Sequence, residues 1–297
     1  MTTATDAATE PESTTAGTPV SMRSVLRRLR RNPLGLTGGL LLALLAGFCF
    51  LGPLFHPTDQ TTVDLVNAAL PPGPGHPLGT DTNGFDVLGR LMEGGRVSLQ
   101  IGLLAAIFAT TIGTVYGAVA GLAGGVVDGF LMRLVDVLLS VPFLFFVLIL
   151  SARFHANALS LSLVIGGFSW LISARLVRGE VLTLRVREFV LAAQVMGSSR
   201  RRLILTHLVP NALGVIIVNI TFQVADAILV VAALGFLGFG LTYPTADWGS
   251  QLASGVTYIS AGYWWLIYPV GGCIILTVLM LNLLADALRN AVGKRTD

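Results

Sequence analysis

One carboxylate stands well inside an apolar run, Asp226 within residues 211–234. A charge in hydrocarbon is expensive, so an ionisable side chain placed there faces a water-filled path or a polar partner. It could meet a cationic solute, hydrogen-bond a neighbouring helix, or be protonated. A second candidate is the stretch between this run and the preceding one, which is too apolar to be a mere linker. Good helix formers fill EFVLAAQVM (188–196), and their spacing places Phe189, Ala192, Ala193 and Met196 on one face. Gly197 stops that helix, Ser198 and Ser199 can cap another, and the second opens with Arg200, Arg201 and Arg202. Such an elbow has mechanical rather than covalent uses. Its apolar side can enter a groove on another protein or lie on a membrane surface.

Covalent chemistry finds little support. The chain contains no G-x-x-x-x-G-K-S/T segment to cradle a phosphate, no H-E-x-x-H, no G-x-S-x-G and no paired carboxylates in a credible cleft. His56 and His76 have no further ligands at metal-binding spacing. Cys49 and Cys273 both fall in apolar segments and read as small packing residues rather than a disulfide.

The elements that must position these residues are membrane helices. Of 297 residues 54% are hydrophobic and 12% charged, with a mean hydropathy of +0.77; a soluble domain would carry far more charge. A helix needs ~20 apolar residues to cross the bilayer. Six such runs are predicted, at 34–55, 98–122, 134–151, 158–174, 211–234 and 264–284. Gly113, Gly117 and Gly121 would let two of them approach closely. The first run is too long for a secretory signal and has no small-residue cleavage site beyond Phe55, so it reads as a retained helix.

Basic residues supply the orientation. With the amino terminus inside, segments 1–33, 123–133, 175–210 and 285–297 hold sixteen of the nineteen Lys and Arg, leaving Arg90, Arg96 and Arg153 outside. The positive-inside rule then places both termini in the cytoplasm. It also accounts for a net charge of +3 without invoking nucleic acid. Tyr258, Tyr263, Trp264 and Trp265 would anchor the outer interface. Asp128, Asp136 and Asp286 would pair with Arg133 or Arg289, and Arg178 and Glu180 read as structural ions. The Pro- and Gly-rich segment 56–97 would be an outer loop, serving either as a contact for another protein or as a solvated spacer.

The stretch EFVLAAQVMGSSRRRLILTHLVPN resembles the coupling loop of ABC importer permeases, whose pattern is Glu-Ala-Ala, three residues, Gly, then nine residues to Ile-x-Leu-Pro. Ala192, Ala193, Gly197 and Pro210 match it; Leu191 replaces the Glu, His207 the Ile and Val209 the Leu. The lost Glu removes one polar contact of the loop and leaves the elbow. HPLGTDTNGFDVLGRLMEGGRVSL, LMRLVDVLLSVP, ARLVRGEVLTLRVREFV, LGFLGFG and DWGSQLASG are similar to the dipeptide/oligopeptide/nickel group of these permeases. RRNPLGLTGG is similar to the start of the second, C-type permease of each pair. The resemblance covers about residues 24–292.

It implies an all-α integral membrane fold of the type I importer kind, with six transmembrane helices and a cytoplasmic coupling helix. A disordered tail (1–22) would precede the first helix and outer loop (23–97), followed by a five-helix core (98–290) carrying the coupling loop (175–210), and a short tail (291–297). The implied function is a permease subunit without its own ATPase site, importing short peptides across the bacterial inner membrane. Nickel chelates, glutathione or another small solute remain alternatives. Implied partners are a second homologous permease in a heterodimer, two cytoplasmic ATPase subunits that hold ATP and Mg, an extracytoplasmic substrate-binding protein, and membrane lipid. This chain would bind no cofactor. Phe189, Ala192, Ala193, Met196 and Gly197 would form the ATPase contact and Asp226 would line the path, although the family pattern has a small residue there and an acid at the position of Val231. A proton-coupled secondary transporter would instead show inverted repeats and several buried charges, and an integral-membrane enzyme would show a catalytic motif.

Overall fold

A computed structural model describes residues 27–29, 32–153 and 157–293, and among them the regular structure is helical. Five helices are long and apolar enough to cross a membrane, and a bent pair makes a sixth span if counted as one. The first expected tail (1–22), residues 294–297 of the last one (291–297) and the basic residues Arg23, Arg30, Arg31, Lys294 and Arg295 lie outside the described residues, while residues 291–293 continue the last helix.

Helix α1 (Pro33–Phe55) starts where Asn32 accepts from the backbone of Leu34 and Gly35, with Pro33 in the first turn. Helix α2 (Val87–Ala123) begins eleven residues before the expected span because Asp86 caps it. Next come α3 (Gly125–Leu139) and α4 (Phe143–Arg153), bent by 75° to one another. A continuous third span was expected here. Pro142 has no N–H to donate and biases Val141 away from helical geometry, so the span breaks at that point.

Helix α5 (Ala158–Leu184) runs ten residues past its expected end, opened by a reciprocal cap between Asn157 and Ser160. After the short α6 (Glu188–Val195), helix α7 is continuous over Arg200–Phe236. Leu203–Leu208 form a π-helical turn within it, with the Val209 N–H bonded to the Ile204 carbonyl five residues back. That offset accommodates Pro210, and the Asn211 side chain covers the His207 carbonyl at 2.6 Å. Two helices complete the chain, α8 (Trp248–Val256) and α9 (Tyr268–Gly293).

Helix α2 is the hub. It lies parallel to α5, with Gly113 against Trp170 and Ser173, Gly117 against Ala174 and Arg178, and Gly121 against Val181. Small residues let the two backbones approach, which is how helices associate where water offers no hydrophobic drive. A Cβ at Gly117 would sit 2.9 Å from the Arg178 nitrogen. Gly117→Val is therefore expected to lower stability by about 1–3 kcal/mol, read as earlier thermal unfolding in detergent. Gly129→Ala, where nothing lies within 4 Å of the added carbon, serves as the control with little change. Helix α1 closes antiparallel on α9, Gly35 meeting Ala287 and Gly38 meeting Leu283. Cys49 and Cys273 are free thiols packed in one apolar cluster with Trp248.

The ion pairs differ from the expected ones. Asp128 takes Arg178 in a two-pronged contact at 2.5 and 2.7 Å, and Asp136 takes Arg175. The two acids lie two turns apart on α3, and each takes its partner from α5 rather than Arg133 on its own helix.

Candidate functional site

Three features emerge from this packing: an elbow at one end of the bundle, a groove running from that end into the span, and a closed platform at the far end.

Helix α6 forms the elbow's first arm. It ends in a reciprocal pattern in which the Gly197 N–H bonds to the Gln194 carbonyl (2.9 Å) and the Ser198 N–H to the Ala193 carbonyl (3.0 Å), with Gly197 at φ +81°. That left-handed conformation favours glycine. Ser199 then caps α7 through the Arg202 N–H. The arm is seated. Val190 and Ala193 are buried in a cluster with Ala118, Val177, Val181, Leu203 and Leu208, and Arg185 Nη1 donates to the Gly121 carbonyl at 3.0 Å.

The single face expected for Phe189, Ala192, Ala193 and Met196 is thus divided. Ala193 is only 2% exposed and faces the chain's own core. Ala192, Met196 and Gly197 are exposed, and Phe189 is half-exposed with its ring 6.4 Å from that of His207. The correction follows from periodicity: Val190 and Ala193, three apart, pack down, which turns Leu191, Val195 and Met196 outward. Val195 is 90% and Met196 79% exposed. Leu191 and Val195 were missed by sequence reasoning. No local signal marked Val190 as the buried side, because its neighbours Leu203 and Leu208 meet it only in the folded chain.

Asp226 is exposed within the chain and makes no hydrogen bond or ion pair among the described residues. It continues a stripe of α7 formed by Val215, Val218, Asn219 and Phe222. Those residues, with Arg175, Glu180 and Arg289, line a groove of about 680 Å³ between α5, α7 and α9. Behind the groove lies a polar clamp that sequence reasoning also missed. Asn219 Nδ2 donates to Ser173 Oγ at 2.7 Å, and Gln223 Nε2 donates to Ser173 Oγ at 2.8 Å and to the Ser169 carbonyl at 2.9 Å. The signal was present as two polar pairs at i, i+4 inside two apolar runs.

At the far end the segment after α1 is an ordered platform, not a solvated spacer. Asp86, 3% exposed, accepts from the Gly89 N–H (2.7 Å), His56 Nε2 (3.2 Å) and His76 Nδ1 (2.9 Å). A carboxylate only accepts, so both facing imidazole nitrogens carry hydrogen. Trp248 Nε1 donates to the Leu91 carbonyl and Trp265 Nε1 to the Thr80 carbonyl. Trp265, expected as an interfacial anchor, is therefore buried beneath the platform; Trp264 remains exposed. Arg90 lies over the Phe85 ring at 4.0 Å and donates to the Pro244 carbonyl at 3.0 Å. Burial pushes the Asp81 carboxyl up, whereas hydrogen bonds from Thr62 and Thr61 hold that of Asp59 well below the usual range.

Comparison with known proteins gives this arrangement its context. Residues 113–297 match the family described as binding-protein-dependent transport system inner membrane component, and residues 21–72 match the N-terminal TM domain of oligopeptide transport permease C. The chain is 40% identical over 271 residues to the oligopeptide transport system permease protein OppC of Escherichia coli (strain K12), covering 91% of this chain and 89% of that one. It is 36% identical over 269 residues to the dipeptide transport system permease protein DppC of Bacillus subtilis (strain 168), covering 91% and 84%. Against the OppC of Mycobacterium bovis the identity is 37% over 270 residues, covering 90% and 92%. Seated elbow, broken third span and long helical hub are thus the architecture of a multi-pass membrane permease, and the chain belongs to the binding-protein-dependent transport system inner membrane components, in their C-type oligopeptide permease branch.

Proposed function

We propose that this chain is one of two unlike permease subunits of an ATP-driven importer of short peptides, with the elbow and both termini in the cytoplasm. The observation that carries the reading is the elbow itself. A short helix with a buried seat and two almost fully exposed apolar side chains, Val195 and Met196, joined directly to a span-long helix, suits a rigid element that docks into a groove on another protein. A surface helix would need neither the glycine stop nor the following cap. The names of the relatives at 36–40% identity favour peptides over nickel chelates, glutathione or other solutes.

Energy would come from two separate ATPase subunits holding ATP and Mg, since the chain carries no phosphate-cradling segment of its own. Leu191, Val195 and Met196, with Ala192 and Phe189 beside them, would form the contact; Ala193 and Gly197 would hold its shape. Asp226 would face the translocation path, completed by the second permease, and a binding protein would deliver substrate at the platform side. Affinity purification of the tagged chain from native membranes in mild detergent tests this. A second permease and ATP-hydrolysing subunits are expected in the eluate. A lone polypeptide transporting solute in liposomes without ATP would sink the proposal.

A further inference from the structure

The groove between α5, α7 and α9 carries charges of alternating sign that do not neutralise one another. Arg289 and Glu180 both line it, yet neither forms an ion pair among the described residues. Arg175 is already held by Asp136. Asp226, four residues beyond Phe222 on the same stripe of α7, supplies an unpaired carboxylate deeper in the span. Asn219 has its Nδ2 engaged by Ser173, which leaves its carbonyl oxygen for a donor in the groove.

The levels of these groups follow from helix contacts. Val292 touches the position of Gly214, so Arg289, one turn before it on antiparallel α9, lies level with about Ile217. Asp226 is nine residues further along α7, roughly 13 Å at 1.5 Å per residue. That separation equals about four residues of extended chain.

We propose that this groove is a two-ended site for a short zwitterionic peptide, Asp226 taking the terminal ammonium and Arg289 the terminal carboxylate. The site rests on the peptide-importer reading above and adds to it which groups of this chain meet which end of the cargo. An anionic lipid fits less well, because it has no cationic group to place at Asp226 and would leave that carboxylate unpaired. The apolar walls at Val218 and Phe222 accept side chains without selecting among them.

The test uses the complete complex in liposomes, with partner permease, ATPase subunits and binding protein. Uptake is measured for free tetra-alanine and for its N-acetylated and C-amidated forms. The binding protein is unchanged throughout, so its own selectivity cancels when variants are compared. Arg289→Gln is expected to narrow the free-to-amidated uptake ratio roughly tenfold and leave the free-to-acetylated ratio alone, and Asp226→Asn should do the reverse. In addition, a photoreactive group on the amino-terminal residue should label α7 near Asp226, and one on the carboxy-terminal residue should label α9 near Arg289. A uniform fall in uptake with both ratios unchanged, or identical labelling from the two ends, would overturn the site and assign these residues to lipid or subunit contacts. If the wild-type complex hydrolyses ATP but imports none of the peptides, it is the peptide-importer reading that fails, and the site falls with it.

Discussion

Replacing Val195 and Met196 together by aspartate is expected to cut uptake more than about a hundredfold while the chain remains folded. Both side chains stand almost fully exposed at the tip of the elbow, so neither contributes to the chain's own core. Burial of one such side chain at a docking surface contributes about 1.5–3 kcal/mol. Losing two removes at least about two orders of magnitude in affinity, before any repulsion between the carboxylates and an apolar groove. The ATPase subunits should then wash off during purification, with the thermal unfolding of the chain unaltered. Ala193→Asp gives the instructive contrast. It would force a charge into the cluster of Val190, Leu203 and Leu208, so uptake should fall together with the unfolding temperature. Retained uptake by the Val195/Met196 double variant would show that the elbow docks through some other surface, or not at all.

The second large effect is expected at the other end of the bundle. Asp86→Ala removes the cap of α2 and the common partner of two histidines from separate segments. The cap contributes about 0.5–2 kcal/mol, and a hydrogen bond to a charged group about 1.5–3 kcal/mol, less where solvent reaches the imidazoles. A loss of about 3 kcal/mol in all should appear as earlier unfolding and as faster amide exchange over residues 56–90. Asp86→Asn, which keeps a capping oxygen, should recover part of it. A change below about 0.5 kcal/mol would mean that Trp248 and Trp265 hold the platform without the carboxylate.

Spans were legible in the sequence because hydrocarbon imposes one requirement on every residue of a run, and a simple count detects it. Breaks and extensions were less so. Pro142 breaks the third span, while Pro53 sits inside α1 and Pro210 is absorbed by a π turn; the difference depends on whether neighbouring groups re-satisfy the freed carbonyls, which a single segment does not reveal. The elbow was legible in outline because Gly197 and Ser199 act locally on their own backbone. Which face of α6 turns inward was not, since Ala192 and Ala193 are chemically identical and only packing against α5 and α7 distinguishes them. Asp226 was visible as a lone acid in an apolar run. The opposite charge at Arg289, sixty-three positions away on another helix, becomes its companion only through the close approach of Gly214 to Val292.

Helix α7 runs unbroken from the cap of the elbow to the platform, and the Ser173–Asn219–Gln223 clamp holds it at one height. The arm from Arg200 to the clamp is about 21 residues, roughly 31 Å, and the arm from the clamp to Phe236 about 15 residues, roughly 22 Å. A rod pinned there is a seesaw of unequal arms. A sideways displacement of the elbow end about that point is expected to return as an opposite displacement of about seven-tenths the size at the platform end, with no relay of small steps between the two.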